Sequence, residues 1–494
     1  MAIDSTFLAF DFGAESGRAL LGEIKDGKLT LRDIHRFPNV PVMVLGKFHW
    51  DVLRLFNEIR HGLRLAVQET GGKIDGIGID TWGVDFALLG EDGEPIGMPF
   101  HYRDERTSGM MEKAFSIVPK TEIWDKTGIQ FMQLNSLYQL VALAVSDSPA
   151  LKNTEKLLMI PDLFNYWLTG VGVSEFSIAS TSQVYNPVTG GWDADLLKKI
   201  GVDPGIMPEI VQPGAKIGNL DSKLAAEMGL TNDIPVFAPC CHDTGSAVAA
   251  VPATTDKFVY ISSGTWSLMG TEMDKPLLSR EAMEAGFTNE GGVAGTFRFL
   301  HNIMGLWIVQ ECRRTWLARG EEMSYSEITS MAAESEGFRS IIDPDDALFL
   351  TPGDMPARIQ DYCAKSGQPV PETYGQIIRC ALDGLALRYR DTLEKLEKLH
   401  QCEFEAFHIV GGGIQNKLLC QITADATGRK ITTGPIEATA AGNILVQALG
   451  AGKVDSLSEI REIVRRSFDV EEFTPGTSSS LEKAYAKFQD LQKH

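Results

Sequence analysis

Two similar segments, about half the chain apart, restrict the fold of this 494-residue sequence more than any other feature. Residues 7–24 contain an apolar run, a turn of small residues and a second apolar run, which together predict a β-hairpin. Residues 257–272, KFVYISSGTWSLMGTE, repeat this order, and Ser262 then aligns with Asp11. A repeat on this scale predicts two similar domains that face one another. Because hairpins are common, chance similarity is the alternative.

Length and charge limit the class of protein. A chain of 494 residues is too long for one core and predicts two or three domains. With 46 basic and 66 acidic residues the net charge is −20, which argues against nucleic acid or a membrane surface as a partner. The first residues resemble a strand rather than a targeting leader, and no apolar run is long enough to span a bilayer. Seven cysteines without dense spacing indicate a reducing, cytoplasmic location.

The turn of the first hairpin is a candidate phosphate site. Its sequence, GAESGR, places small residues where backbone amides can hold phosphate oxygens, with Arg18 nearby. Asp11 precedes the turn and can face Mg²⁺ directly or through water. An ordinary hairpin with a solvated Asp11 is the alternative.

A second candidate site follows the predicted strand at residues 76–80. The sequence continues as TWGVDFALL, so that an acid, a hydroxyl, an indole and a glycine meet at a strand end. This mixture suits a sugar or polyol, which needs paired polar contacts beside an aromatic face. A strand end with Trp82 in the core explains it equally well.

Residues 239–247, PCCHDTGSA, place Asp243 between a histidine and a hydroxyl at a predicted strand-to-helix turn. Such turns can aim one side chain at a ligand while the scaffold holds it still. The segment alone is equally consistent with Asp243 capping the helix.

Apolar periodicity predicts helices over residues 52–70, 121–146, 299–314 and 373–400. In the third of these, Asn302 and Gln310 interrupt the apolar face. Residues 407–428 predict a strand, three glycines and a helix from about Gln415, an arrangement that lets phosphate or adenosine approach the backbone. The small residues of 434–452 predict a helix that packs closely on a neighbour.

Six motifs in one order resemble those of the FGGY carbohydrate kinases: DFGAESGR, HYRDERT, LTG with SEFSIAST and WD, CHDTGSA, SSGTWS and GGGIQN. P-loop, G-x-S-x-G and zinc motifs are absent from the sequence. The resemblance covers nearly the whole chain. It implies an α/β fold of two ribonuclease-H-like, actin-like ATPase domains around a central cleft. We expect an N-terminal domain over 1–248, with the sugar site and the base, and a C-terminal domain over 249–494, with the ATP site and a helical tail.

The stretches GIDTWGVDFALL, CHDT, SSGTWSLMG and NIMGLW are similar to those of family members that phosphorylate the 1-hydroxyl of L-rhamnulose with ATP and Mg²⁺. The resemblance implies that Asp243 is the general base. It also implies sugar contacts at Gly83, His242, Asp243, Thr244 and Asn302, and ATP contacts at Ala14, Glu15, Ser16, Gly17, Arg18, Thr265, Gln310 and Gly412. The methyl group of this sugar would need an apolar wall, from Trp82 or Phe86.

Two positions depart from this simple picture. Relatives also have serine where this chain has Glu15, and an extra acid would repel phosphates unless it points away or meets the metal. A disulfide like Cys363–Cys380 is attributed to some relatives, although free thiols fit a reducing compartment better.

Two other kinds of function compete with this hypothesis. The first is another ketose kinase of the family, acting on L-fuculose or xylulose. The second is a non-catalytic, sugar-binding regulator on the same fold, which would not need Asp243 as a base. For the kinase, the expected partners are a sugar and ATP.

Overall fold

The computed structural model describes residues 5–476 and 480–493, and the chain divides into two compact units. Unit 1 comprises Met1–Pro252, Glu272–Phe299 and Ala438–Phe468. Unit 2 comprises Ala253–Thr271, Leu300–Glu437 and Asp469–His494. The predicted boundary between residues 248 and 249 lies close to the first change of unit, and it remains a prediction.

The main sheet of unit 1 has six strands. Their order is Lys216–Asn219, Pro235–Phe237, Gly76–Thr81, Ser5–Phe12, Ser16–Lys25 and Lys28–Pro38. The second, third and fourth strands in this order are parallel, and the remaining pairings are antiparallel. Because parallel strands end at the same edge, side chains after Phe12, Thr81 and Phe237 come close together.

Helices cover both faces of this sheet. Val52–Thr70 begins at Asp51, whose side chain accepts from the Arg54 amide, and ends at Gly71 in the left-handed region (φ 63°). The remaining helices are Met110–Ile117, Lys120–Thr127, Ser136–Val145, Pro149–Lys152, Ile160–Thr169, Phe176–Ser180, Ala194–Lys199, Ser222–Glu227, Asp243–Ala249, Arg280–Glu284, Ala438–Gly450 and Leu457–Ser467, with 3-10 turns at Glu105–Thr107, Pro204–Ile206 and Val293–Gly295. Short strands complete the unit: Val42–Val44, Lys47–His49, Phe86–Leu89, Lys156–Met159, Ser174–Glu175, Tyr185–Asn186, Gly191–Trp192, Ile210–Val211 and Thr288–Gly291.

The sheet of unit 2 repeats the pairing pattern of unit 1. Strand Phe258–Ser263 is antiparallel to Ser267–Met273 and parallel to Ala406–Val410, as Ser5–Phe12 is antiparallel to its hairpin partner and parallel to Gly76–Thr81. The predicted internal repeat is therefore confirmed at the level of topology.

The sheet continues on both sides of these three strands. Phe297–Ile303 lies beside Ser267–Met273, and Ile431–Thr433 and Glu471–Phe473 follow Ala406–Val410. The helices of unit 2 are Trp307–Ala318, Tyr325–Ala333, Met355–Lys365, Tyr374–His400, Lys417–Thr427 and Leu481–Leu491, with 3-10 turns at Ala347–Phe349 and Gly412–Gln415. Among the described residues, no helix is both long and apolar enough to cross a membrane.

Three predicted helices differ from the structure. The segment 121–146 is two helices, because Gly128 takes a left-handed conformation (φ 62°) and ends the first. The segment 299–314 is the end of strand Phe297–Ile303 followed by helix Trp307–Ala318, so Asn302 lies on a strand. The helix after the triple glycine begins at Lys417, since residues 412–415 form a 3-10 turn.

The small-residue helix Ala438–Gly450 packs closely on helix Asp243–Ala249, as the sequence predicts. A side chain at Gly442 would collide with the backbone carbonyl of Ser246. On the same helix, the side-chain Nε2 of Gln447 donates to the backbone carbonyl of Leu8 at 3.1 Å. This helix therefore fixes the position of the segment that carries Asp243.

Candidate functional site

Two carboxylates stand side by side at the end of the parallel strands in unit 1. Asp11 and Asp80 are register partners on strands Ser5–Phe12 and Gly76–Thr81, and both are buried. Arg18, opposite Asp11 on the hairpin, donates to Asp11 Oδ2 from Nε at 3.0 Å and from Nη2 at 2.7 Å. The guanidinium therefore balances the charge of Asp11 within the hairpin.

Asp80 has a different partner. Nδ2 of Asn443 donates to Asp80 Oδ2 at 2.5 Å, while Asp80 Oδ1 is buried without a hydrogen-bond partner among the described residues. Burial, and then the charges of Asp11 and Asp243, raise the pKa of Asp80 well above its usual range.

Asp243 follows the neighbouring strand Pro235–Phe237. The Thr81 amide donates to the Cys241 carbonyl at 2.9 Å, which joins this turn to the end of strand Gly76–Thr81. His242 is the N-cap residue, so Asp243 is the first residue of the helix and does not occupy the capping position. Asp243 Oδ1 accepts from the amide of Thr244 at 2.5 Å and from its hydroxyl at 3.2 Å.

The remaining oxygen of Asp243 is open to a ligand. Asp243 Oδ2 has no hydrogen-bond partner among the described residues, and the side chain is 29% exposed. Burial of the carboxyl and the charge of Asp11 raise its pKa, while His242 and the Thr244 hydrogen bonds oppose the rise. A carboxylate with a raised pKa and a free oxygen is suited to accept a proton.

His242 links Asp243 to two buried charges that sequence reasoning missed. His242 Nε2 lies 3.5 Å from Asp243 Oδ1, and Nδ1 lies 3.1 Å from Glu290 Oε2 and 3.2 Å from Arg298 Nη2. Glu290 and Arg298 lie on strands Thr288–Gly291 and Phe297–Ile303. A charge inside the apolar run FRFL was the available signal for Arg298.

At the predicted sugar site, a cluster of aromatic side chains is hydrogen-bonded to the carboxylate of Asp85. Trp50 packs on Trp82 with ring centroids 4.0 Å apart and on His101 at 4.2 Å. Asp85 Oδ2 accepts from the indole nitrogens of Trp50 at 2.6 Å and of Trp82 at 3.1 Å, and from the Tyr102 amide at 3.1 Å.

Asp85 itself was not predicted as a site residue. Gln139 Nε2 donates to its Oδ1 at 2.8 Å, and burial raises its pKa to about 6. Gly83 lies against Thr181, which accepts from the Val84 amide at 3.1 Å. Trp82 and Phe86 were both predicted as an apolar wall for the methyl group of the sugar. They belong to different core clusters, and Trp82 is the one that belongs to this aromatic group.

The predicted phosphate turn of unit 1 closes the first hairpin. The Gly13 amide donates to the Ser16 carbonyl at 2.9 Å, which leaves Ala14 and Glu15 at the tip. The Glu15 carbonyl accepts from the Asn39 amide at 2.9 Å. Gly17 is buried against Phe37 and Phe12. The roles of these residues toward phosphate stay predictions.

Unit 2 holds three of the eight residues predicted for ATP, Thr265, Gln310 and Gly412, whereas the other five belong to unit 1. The Trp307 amide donates to the Thr265 carbonyl at 3.0 Å, so the hairpin turn adjoins the helix that carries Gln310. Gln310 Oε1 is buried without a hydrogen-bond partner among the described residues. Gly411 and Gly413 both pack against Ser263, next to the same turn.

Gly412, in contrast, has open space beside its Cα, because a Cβ atom there would meet no other atom within 4 Å. The backbone at Gly412 is therefore open to approach, and its role toward ATP stays a prediction. Asn302, predicted for the sugar, is half-buried on strand Phe297–Ile303.

Two further expectations concern cysteines and metal. Cys363 and Cys380 are buried free thiols with their sulfurs 3.7 Å apart. Within residues 5–476 and 480–493, no three His, Cys, Asp or Glu side chains are grouped to hold a metal ion. Mg²⁺ at phosphates commonly uses one or two carboxylates together with phosphate oxygens and water, and the assignment of Asp11 to this role stays a prediction.

Two related proteins match the chain over almost its full length. A rhamnulokinase from Bacteroides thetaiotaomicron is 46% identical over 484 residues, which cover 98% of this chain and 99% of that protein. A rhamnulokinase from Bacillus subtilis is 40% identical over 472 residues, covering 95% of each chain.

Solved structures match the fold at lower identity. A gluconate kinase from Lactobacillus acidophilus superposes with a TM-score of 0.79 at 17% identity, over 99% of this chain and 96% of that one. A ligand-bound xylulose kinase from the same organism gives 0.79 at 18% identity with the same coverage. The models of the FGGY family of carbohydrate kinases match residues 6–250 with the N-terminal domain and residues 259–451 with the C-terminal domain. With both halves matched in order, the chain belongs to the FGGY family of carbohydrate kinases.

Proposed function

We propose that this protein transfers the γ-phosphate of ATP to the 1-hydroxyl of L-rhamnulose, giving L-rhamnulose 1-phosphate, in L-rhamnose degradation. The observation that carries the proposal is 46% identity to a rhamnulokinase across 98% of the chain. Membership of a carbohydrate kinase family implies ATP as the phosphoryl donor. A cytoplasmic location, which supplies ATP and keeps thiols reduced, agrees with seven free cysteines.

Asp243 is the proposed general base. A sugar hydroxyl is a poor nucleophile, and a carboxylate that accepts its proton as the bond to phosphorus forms makes the attack possible. The free Oδ2 of Asp243 supports this role, since Oδ1 is already held by Thr244. The raised pKa supports it as well, because a stronger base removes the proton more readily.

The proposed sugar contacts are Gly83, His242, Thr244 and Asn302. Gly83 and the indole of Trp82 lie at the end of the strand next to the Asp243 turn, joined to it by the hydrogen bond from Thr81 to Cys241. Trp82 is the proposed wall for the methyl group of the 6-deoxy sugar. Its ring is fixed by Asp85 and by packing on Trp50, so it can select a substrate by shape.

The proposed nucleotide contacts are the turn at Ala14, Glu15, Ser16, Gly17 and Arg18 together with Thr265, Gln310 and Gly412. Asp11 is the proposed carboxylate for Mg²⁺, directly or through water. When bound, the ion would neutralise charge on the phosphate oxygens. The bare backbone at Gly412 supports a nucleotide at that loop.

An ADP-release assay with a panel of ketoses tests the proposal. The purified protein is supplied with ATP, Mg²⁺ and either L-rhamnulose, L-fuculose or D-xylulose, and the position of the phosphate is read by NMR. We expect the highest kcat/KM for L-rhamnulose and a 1-phosphate product. Faster turnover of L-fuculose or D-xylulose would reject the substrate, and sugar binding without turnover of any ketose would favour a regulator.

A further inference from the structure

The Glu290–Arg298 pair lies behind His242, in unit 1, and the proposed reaction does not use it. Arg298 is completely buried and Glu290 almost so, and Arg298 Nη2 lies 3.2 Å from Glu290 Oε2. A buried ion pair contributes little net stability compared with well-packed apolar residues. Its place beside His242 therefore points to a role in positioning.

Both members of the pair meet the same nitrogen. Glu290 Oε2 is 3.1 Å and Arg298 Nη2 is 3.2 Å from Nδ1 of His242, whereas Nε2 of His242 lies 3.5 Å from Asp243 Oδ1. A guanidinium can only donate a hydrogen bond, and an ionised carboxylate can only accept one. Nδ1 consequently has a donor and an acceptor within reach.

This arrangement determines where the proton of the imidazole resides. Of these two contacts, only the one to Arg298 Nη2 has hydrogen-bond geometry. Because a guanidinium can only donate, Nδ1 of the neutral ring accepts there, and the ring proton is then on Nε2. In the protonated ring, Nδ1–H donates to Glu290 and Nε2 again carries a proton. Nε2 is thus a donor toward Asp243 in both charge states of His242.

The surroundings hold the imidazole in place for this task. The His242 amide donates to Ser177 Oγ at 3.1 Å, and the adjacent Cys241 amide donates to Glu175 Oε2 at 3.0 Å. Arg298 is fixed by its Nε, which donates to the Gly291 carbonyl at 2.8 Å.

Several charged groups act on His242 and on its immediate neighbours. Asp243, Glu290 and Arg298 face His242 directly, and Glu175 acts on the neighbouring backbone. Asp11 acts on Asp243 by its charge.

We infer that Glu290 and Arg298 are positioning residues that keep Nε2 of His242 protonated, so that it orients the Asp243 carboxylate at every working pH. The inference rests on the proposed role of Asp243 as the base. Neither residue touches the reacting atoms, and both act through His242.

Removing the guanidinium of Arg298, which donates to Nδ1 of His242, tests the inference. In Arg298→Met, neutral His242 places its proton on Nδ1 toward Glu290, and Nε2 then faces Asp243 with a lone pair. We expect the kcat of Arg298→Met, relative to that of the wild type, to fall about tenfold or more between low and high pH. We expect no such fall in the wild-type profile itself. An Arg298→Met profile of wild-type shape would overturn the inference.

Two charge-neutral double variants avoid leaving Glu290 buried alone. In Arg298→Met/Glu290→Gln, the amide of the glutamine can donate to Nδ1 and restore the Nε2 proton. In Arg298→Met/Glu290→Leu, no donor remains. We expect the glutamine variant to exceed the leucine variant about tenfold in kcat at high pH, with similar melting temperatures. Equal kcat in the two variants would overturn the inference.

These assays use whichever ketose the wild type phosphorylates fastest, so a wrong substrate and a wrong positioning role give different results. A second measurement needs no turnover. NMR of ¹⁵N-labelled histidine in the wild type should show His242 as the Nε2–H form when neutral. A neutral ring with its proton on Nδ1 would contradict the inference whatever the enzyme's substrate.

Discussion

Asp11 and Asp80 occupy paired positions on two adjacent parallel strands, so two buried carboxyls share one edge of the sheet. Arg18 donates two hydrogen bonds to Asp11, whereas Asp80 accepts one from the uncharged side-chain amide of Asn443. Burial and the charge of Asp11 therefore raise the pKa of Asp80, and Asp11 also raises that of Asp243. The proton affinity of the proposed base depends on a residue of the first strand.

Removing the charge of Asp11 should shift the pH profile. Asp243 works in its ionised form, so kcat/KM falls as pH drops below its raised pKa. Asp11→Asn removes one cause of that rise, and the midpoint of the acid limb should move to lower pH. The measurement is kcat/KM between about pH 4 and 8, normalised to each variant's own plateau, which separates the midpoint from any loss of metal or phosphate binding. Asp26→Asn, in an exposed turn, is the control, and a midpoint that stays or rises would contradict the prediction.

Neutralising Asp243 should stop turnover without unfolding the protein. In Asp243→Asn we expect kcat to fall by about 10²–10⁴, because the hydroxyl loses its proton acceptor. Sugar binding, followed by calorimetry, and the melting temperature should stay close to the wild type. Asp256→Asn, an exposed change in unit 2, controls for substitution as such. Near-normal turnover in Asp243→Asn would rule out this residue as the base.

Two adjacent glycines should respond differently to alanine. Gly412→Ala adds a methyl into open space, so the melting temperature should hold while KM for ATP rises, as the methyl occupies the proposed nucleotide surface. Gly413→Ala would push against the Ser263 side chain, so it should lower the melting temperature. Thermal unfolding and ATP titrations of both variants check this. An unchanged KM for ATP in Gly412→Ala would remove that position from the nucleotide site.

The aromatic group should depend on Asp85 for stability. Asp85→Ala leaves the two indole nitrogens and the Tyr102 amide without their acceptor, and it removes one of the acceptors of the Gln139 side chain. We expect the free energy of unfolding to drop by about 3 kcal/mol or more, measured by urea denaturation, because each orphaned donor carries a desolvation cost. Glu91→Ala, exposed on a nearby turn, should change it little. A similar loss in both variants would show that Asp85 does not hold the group.

Local features were predictable because their energies come from near neighbours in the chain. Helix Tyr374–His400 begins at its Thr373–Gln376 capping box, and both hairpins occur where apolar runs flank small-residue turns. Where a single backbone conformation decided the outcome, prediction failed. Gly128 ends a helix that periodicity extended to residue 146.

The sequence by itself determined the repeated hairpins, the glycine loop, the family and the position of Asp243 at the start of a helix. Only the tertiary structure decided which side chains surround that aspartate. Asn443 reaches Asp80 across 363 residues, and Glu290 and Arg298 meet at one nitrogen of His242. No periodicity or spacing encodes such contacts, because they form only when separate strands and helices pack and buried polar groups must find partners.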